Sequence, residues 1–193
     1  MAKDKDRMKK FMVFFIAFIM IMSVFGVIFY GMSDPSAKKK YGKLTFTRMN
    51  NGYRTFIEKN SYDFVNFPGD ISEIEIDDEV KGILDEKSQI ILTSEPDDPL
   101  NRSIAYLKFN YQNTANVLTD TYVTSGFTKK NVYNQPIVNC TIANENIPVI
   151  YMKRGNETGI TSEKNCVIIS AESDFEMIML GERILFMLLD IIK

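Results

Sequence analysis

An uncharged apolar run, FMVFFIAFIMIMSVFGVIFYGM from Phe11 to Met32, divides the chain into a short head and a long tail. As a helix, its residues would reach about 33 Å, which exceeds a hydrocarbon core of about 30 Å. A buried helix of a globular protein normally keeps a polar face. This run offers only Ser23 and two glycines. It is therefore expected to be a transmembrane helix over residues 11–32. A cleaved signal peptide has an apolar region of about 7–15 residues and a small-x-small site. The run is longer, and neither Gly31-Met32-Ser33 nor Pro35-Ser36-Ala37 makes a good site. The reading is an uncleaved anchor without small-xxx-small spacing for helix dimerisation.

Basic residues flank the run evenly. Lys3, Lys5, Arg7, Lys9 and Lys10 precede it, and Lys38, Lys39, Lys40, Lys43 and Arg48 lie after it. The positive-inside count is a tie. The short basic stub over 1–10 and the length of the C-terminal segment decide it, because long domains translocate largely regardless of charge. The N-terminus is expected in the cytoplasm and the C-terminal domain outside, in a cell membrane crossed once. Residues 33–40, SDPSAKKK, read as a solvated linker.

The rest, 41–193, is the length of one domain. The first ten residues hold five basic and two acidic side chains; 18 basic and 23 acidic remain, a net of −5. That balance argues against nucleic acid as a partner. KLTFTRM and YRTFI alternate around Asn50-Asn51-Gly52, a hairpin signal. A second turn at Glu58–Ser61 leads into YDFVNF, completing a three-stranded antiparallel meander. ISEIEI alternates as a further strand. Asp77 is placed to cap a short helix over DDEVKGILDE, and SQIILTS reads as a buried strand. Asp98-Pro99 reads as N-cap and first helical position. Leu100, Ile104, Leu107, Tyr111, Ala115 and Leu118 then recur at helical spacing. TYVTSGFT, PIVNCTI, PVIYMKR and CVIIS read as strands.

Ser173 and Glu176 form a capping-box pattern that opens an apolar C-terminal helix reaching about Asp190. It reads as a core helix buried on most sides. The alternative is an apolar stripe at Met177, Leu188 or Ile192 left for a partner or a membrane surface. The fold class is α+β: the transmembrane helix, then one mixed domain with an N-terminal β-meander and a C-terminal apolar helix.

The chain has no histidine. Ser-His-Asp and Cys-His catalysis, imidazole zinc ligation and histidine pH switching are all removed. There is no nucleophile elbow, P-loop or dinucleotide fingerprint. The acidic stretches Glu73–Glu79 and Glu95–Asp98 read as solvated faces and helix caps. No catalytic residue, metal ligand or cofactor is assigned. Cys140 and Cys166 are not in C-x-x-C spacing. In a domain outside the cytoplasm an even cysteine count implies a Cys140–Cys166 disulfide. Two free buried thiols are the alternative. Of three N-x-S/T sequons, Asn156 is the best-placed candidate for glycosylation, then Asn101; Asn139 is the least accessible.

NCTIANENIPVIYM, NETGITSEKNCVIIS and the terminal helix together resemble hypothetical single-pass membrane proteins of small-genome archaea. That resemblance implies an anchored external domain with two cysteines, and it carries no functional residue. The expected partners are the lipid bilayer, through residues 11–32, and a protein bound by the C-terminal domain. The expected function is a tethered protein-interaction or envelope-complex component, not an enzyme. Two alternatives stay open. One is an enzyme using Cys140 or Cys166. The other is a small-ligand or glycan-binding module with a pocket lined by Tyr106, Tyr111 and Tyr122.

Overall fold

The structure, a computed structural model, describes residues 11–23 and 37–192. The chain divides into two compact units, Met1–Lys38 and Lys39–Lys193. In the first, helix α1 covers residues 11–23 and its side chains are exposed. A helix of that length reaches about 20 Å, well short of the roughly 30 Å hydrocarbon core. Among the described residues, no helix is long and apolar enough to cross a membrane. This finding overturns the expected transmembrane helix over 11–32. The single-pass placement with the domain outside falls with it. The expected stub 1–10, residues 24–32 of the run and 33–36 of the linker lie outside the described residues.

The α+β organisation holds in the second unit. Strands β1 (Lys38–Tyr41), β2 (Leu44–Met49), β3 (Gly52–Ile57) and β4 (Asn60–Phe64) form a four-stranded sheet in sequence order. The first strand starts inside the stretch expected to be linker. Turn chemistry sets the register. Met49 pairs with Gly52 across Asn50-Asn51, and Ile57 pairs with Asn60 across Glu58-Lys59. Gly52 sits at φ +145°, and a Cβ there would lie 2.1 Å from the Phe64 carbonyl oxygen, so only glycine fits beside β4. Glu58 and Lys59 both take positive φ, at 49° and 73°. A two-residue turn of that kind prefers Asn-Gly. Replacing Glu58-Lys59 by Asn-Gly is expected to raise stability by about 1 kcal/mol, because both side chains are held in a left-handed conformation. Urea unfolding measures it; an unchanged midpoint would show that these residues are not strained.

The second sheet has the order β6-β5-β7-β9-β8. Its strands are β5 (Gln89–Ser94), β6 (Tyr122–Ser125), β7 (Val149–Arg154), β8 (Gly159–Glu163) and β9 (Cys166–Ala171). Every pair is parallel except the β8–β9 hairpin. Helix α4 (Asn101–Leu118) links β5 to β6, and α5 (Asp174–Leu188) comes after β9. The two helices pack together over the face bearing Ile90, Leu92, Ile150, Met152, Val167 and Ile169. Their own buried residues, Ile104, Leu107, Tyr111, Met177, Leu180 and Ile184, recur at three- to four-residue steps. Close approach of the helices depends on Gly181. A Cβ there would sit 2.4 Å from Leu107 Cδ1, and the Tyr111 hydroxyl donates to the Gly181 carbonyl at 2.7 Å. Phe64 of the meander meets Phe186 of α5 with ring centroids 4.7 Å apart, which joins the two sheets in one core.

Several expected elements changed. ISEIEI forms no strand: the short helix α2 (Pro68–Ile71) takes its start and the rest runs irregularly to α3 (Asp78–Leu84). Ile71 and Ile76 are buried and Glu73 and Glu75 exposed, so the side-chain alternation survives without a partner strand. PIVNCTI is not a strand either. Ile137 makes one isolated bridge to Phe127, and Cys140–Ile142 is a 3₁₀ turn. Asp77 stands at the start of α3 but makes no side-chain cap bond. Helix α4 begins two residues after Pro99. Asp98 instead accepts from the Leu100 amide at 2.8 Å and from the Arg154 amide at 2.9 Å, tying the α4 entrance to the end of β7. The capping box of α5 forms as expected. Met177 and Ile192 are buried and Leu188 half-buried, in keeping with a core helix.

The edge strand β6 is blunted by its neighbouring helix. Asn116 of α4 accepts from the Val123 amide at 2.5 Å and donates to the Val123 carbonyl at 3.3 Å. One amide side chain thus imitates a strand partner, and an open edge of this kind invites pairing with another chain.

Candidate functional site

The face of the second sheet away from α4 and α5 bears Ile91, Thr93, Val149, Tyr151, Cys166 and Ile168. It is covered by the long connection between β6 and β7, residues 126–148. Val138 of that connection is buried and forms a small second core with Val149 and Cys166. The Thr93 hydroxyl, fully buried, donates to the Val138 carbonyl at 2.7 Å. Two residues on, Cys140 and Cys166 are joined in a disulfide with Cα atoms 5.3 Å apart. The expected pairing is therefore present, and neither cysteine is free. Cys166 is fully buried on β9.

The remainder of the connection is held by its own polar groups. The Gly126 and Thr128 amides donate to the carbonyls of Leu92 and Ser94, prolonging the β5 pairing. The Phe127 amide donates to Pro136, and the Val138 amide donates back to Phe127. Asn131 Oδ1 accepts from the amides of Tyr133 and Gln135, and its Nδ2 donates to the Gln135 carbonyl at 3.0 Å. The rings of Phe127 and Tyr133 stack at 5.8 Å. Asn139 Oδ1 accepts from the Thr141 amide, and Asn144 Oδ1 accepts from the amides of Asn146 and Ile147. Side-chain turns of this kind fix a loop without regular structure.

On this fastened loop, large apolar side chains face water. Val132 is 88% exposed, Tyr133 66%, Ile137 58% and Ile142 50%. Lone exposed apolar residues need no explanation, but four on one ordered loop are a concentration of the kind that marks contact sites. Phe109, Val117, Tyr122 and Phe175 are exposed elsewhere in the second unit, but among the described residues of that unit this loop holds more exposed large apolar side chains than any other single element or connection.

Beside the loop's root lies an amine that the sequence pattern does not single out. Lys108 of α4 donates to Ser94 Oγ at 2.9 Å and to the Gly126 carbonyl at 2.8 Å, with Nζ 4.3 Å from the Phe127 ring centre. No carboxylate pairs with it among the described residues, and burial pushes its pKa down to about 8. Ser-Lys pairs can perform acyl transfer. Here Ser94 is 2% exposed, so the pair holds the loop's root in place. The unfolded amine binds its proton up to about 10.4 and the folded one only to about 8. The unfolded state therefore holds more protons in between, and stability rises with pH across that window. Buried Tyr106 and Tyr111 are held above their usual range, so their contribution is lost above about pH 10. Lys108→Met is expected to flatten the rise between about pH 8 and 10. Unfolding midpoints across that range test it; an unchanged slope would assign the rise to other groups.

A shallow cavity of about 260 Å³ opens where β5 and β7 end, among Glu95, Asp97, Tyr151, Lys153 and Arg154. Ligands of open parallel sheets favour such strand ends. Lys129 reaches across and pairs with Glu95 and, at 3.9 Å, with Asp97, so part of its acidic charge is already neutralised. Burial, then Glu95 and Asp98, hold the Tyr151 hydroxyl above its usual range. The three tyrosines expected to line a ligand pocket do not converge. Tyr111 is fully buried, Tyr106 donates to Glu182 at 2.9 Å, and Tyr122 lies 60% exposed on the β6 edge. Among the described residues, no cluster of His, Cys, Asp or Glu could hold a metal ion. Asn101, at the start of α4, and Asn156, in the β7–β8 turn, are both exposed.

The geometry therefore defines a mostly parallel sheet carrying a disulfide-clamped, apolar-tipped loop. No protein-family model matches the chain, and no match is found among curated proteins or solved structures.

Proposed function

We propose that the chain is a protein-interaction module and that its contact surface is the tip of the 126–148 loop. One observation carries the reading: Val132, Tyr133, Ile137 and Ile142 are exposed on a loop pinned by a disulfide and by Asn131. A rigid loop loses little conformational freedom on binding, so apolar side chains held in place convert burial into affinity. Tyrosine is among the residues that dominate such contacts. The alternative of a thiol enzyme finds no support, because both cysteines are spent in the disulfide.

A photo-reactive amino acid placed at Val132 in the producing cell tests the proposal. A discrete adduct is expected, and it should disappear when Tyr133 is changed to Ser. The same probe at Phe56, an exposed apolar residue on the meander, is the control. Equal cross-linking from both sites, or none from Val132, would overturn the reading.

A further inference from the structure

Arg183 lies on α5, where 180–186 are buried, and is itself only 3% exposed. Its Nε donates to the Ile74 carbonyl at 3.1 Å. Its Nη1 is buried without a hydrogen-bond partner, and no carboxylate pairs with the guanidinium among the described residues. Burial holds its pKa below the usual value. A guanidinium presents five N–H donors, and a buried charge left unpaired is strongly destabilising. A buried orphan of this kind calls for a partner.

Arg183 forms part of the wall of a cavity of about 360 Å³ that also contains Glu73, Glu75, Asp77, Asp78 and Lys81. The carboxylates are exposed and form its outer rim. Asp78 is engaged by Lys81 at 2.9 Å, whereas Glu73, Glu75 and Asp77 have no basic partner among the described residues. The lining of this shallow cavity thus sets one largely buried guanidinium among exposed carboxylates. A plain anion would be repelled by the rim, and a plain cation would meet the guanidinium. The irregular 72–77 segment, where a strand was expected, supplies both the rim and the carbonyl that orients Arg183.

We propose that this cavity binds a small amino-carboxylate, with its carboxylate on the Arg183 guanidinium and its ammonium toward Glu75 and Asp77. A free α-amino acid has that separation of charge and fits the volume. Charge-assisted hydrogen bonds at each end supply the recognition. This site is separate from the 126–148 loop and stands or falls without it.

The test is a titration of the isotope-labelled full chain with glycine, alanine, lysine, acetate, methylammonium and inorganic phosphate, monitored by amide NMR shifts. Saturable shifts at residues 72–78 are expected with the amino acids. Acetate and methylammonium should bind about tenfold or more weakly, as each satisfies one end only. Arg183→Lys keeps a charge but removes the forked donor and should abolish saturation. Because α5 is a core helix, the surface double variant Glu75→Gln with Asp77→Asn provides a second check. It should bind acetate about as well as glycine. Absence of saturable shifts with any amino acid would overturn the proposal, and so would acetate or phosphate matching glycine on the unaltered chain. A solvent molecule would then be the guanidinium's partner.

Discussion

Glu182→Gln is expected to lower the unfolding free energy by about 3 kcal/mol. Glu182 is fully buried on α5, and its carboxylate collects four donors from elsewhere in the fold. Oε1 accepts from the Val65 amide at 2.7 Å and the Tyr106 hydroxyl at 2.9 Å; Oε2 accepts from the Asn66 amide at 2.7 Å and Asn66 Nδ2 at 2.9 Å. Val65 and Asn66 come directly after β4, so this one carboxylate ties the meander to both long helices. An amide keeps one acceptor oxygen and turns its NH₂ toward groups that are themselves donors. At least one backbone N–H is then buried unpaired, which costs about 1–3 kcal/mol by itself. Burial pushes the carboxyl of Glu182 up, and the four donors pull it back only in part. A raised native pKa means that the folded state holds this proton more tightly than the unfolded chain does. Its contribution is full below the unfolded value of about 4.3 and is lost as pH rises through the folded one. The wild-type chain should therefore lose stability as pH rises above that point, and the Gln variant should lose that part of the slope. Urea unfolding at several pH values measures both effects. Hydrogen exchange of β2–β4 amides reports whether the meander has loosened. A change below about 0.5 kcal/mol would place Glu182 among residues of no structural consequence.

Removing the disulfide is the second large effect. Cys140→Ala with Cys166→Ala is expected to cost about 3.5 kcal/mol, the entropy returned to the unfolded chain when a ring of this size is opened. The two cysteines are 26 residues apart. The loss should be local in the folded state. The face of the sheet packed by α4 and α5 has its own large core, whereas the opposite face has only the small cluster of Val138, Val149 and Cys166. Limited proteolysis should therefore cut within 129–146 in the variant and spare β5, β7 and β9. If the loop resists proteolysis as well as before, the Thr93–Val138 hydrogen bond and the Asn131 turn hold it without the disulfide. The photo-cross-link from Val132 should weaken in the same variant, because a loosened loop must be ordered again on binding.

Local chemistry explains which elements could be read directly. The first hairpin came from Asn50-Asn51-Gly52 between alternating strands, whereas the second turns on Glu58 and Lys59, which take positive φ without favouring it. Helix α4 came from apolar positions at helical spacing, and α5 from the Ser173–Glu176 box. IILTS, PVIYM and CVIIS are short apolar runs that become the central strands of the second sheet. The polar strand β8, GITSE, carries little pattern of its own; it exists because β9 offers it a pairing edge. ISEIEI shows the reverse, a strand pattern that pairs with neither sheet. The transmembrane expectation rested on apolar length alone, and the helix described over 11–23 is too short to satisfy it.

The sequence by itself determined the α+β organisation, the hairpin turns, the capping box of α5 and the presence of two cysteines that could pair. Each depends on residues close together in the chain. Tertiary structure alone decided the order β6-β5-β7-β9-β8, the burial of Glu182, the unpartnered Nη1 of Arg183, the lowered pKa of Lys108 and the apolar tip of the 126–148 loop. Strand order, desolvation and hydrogen-bond satisfaction depend on what distant segments bring alongside. Glu182 and Arg183 look like ordinary helix-surface charges until Val65 and Asn66 after β4, Tyr106 of α4 and the 72–77 segment close around them.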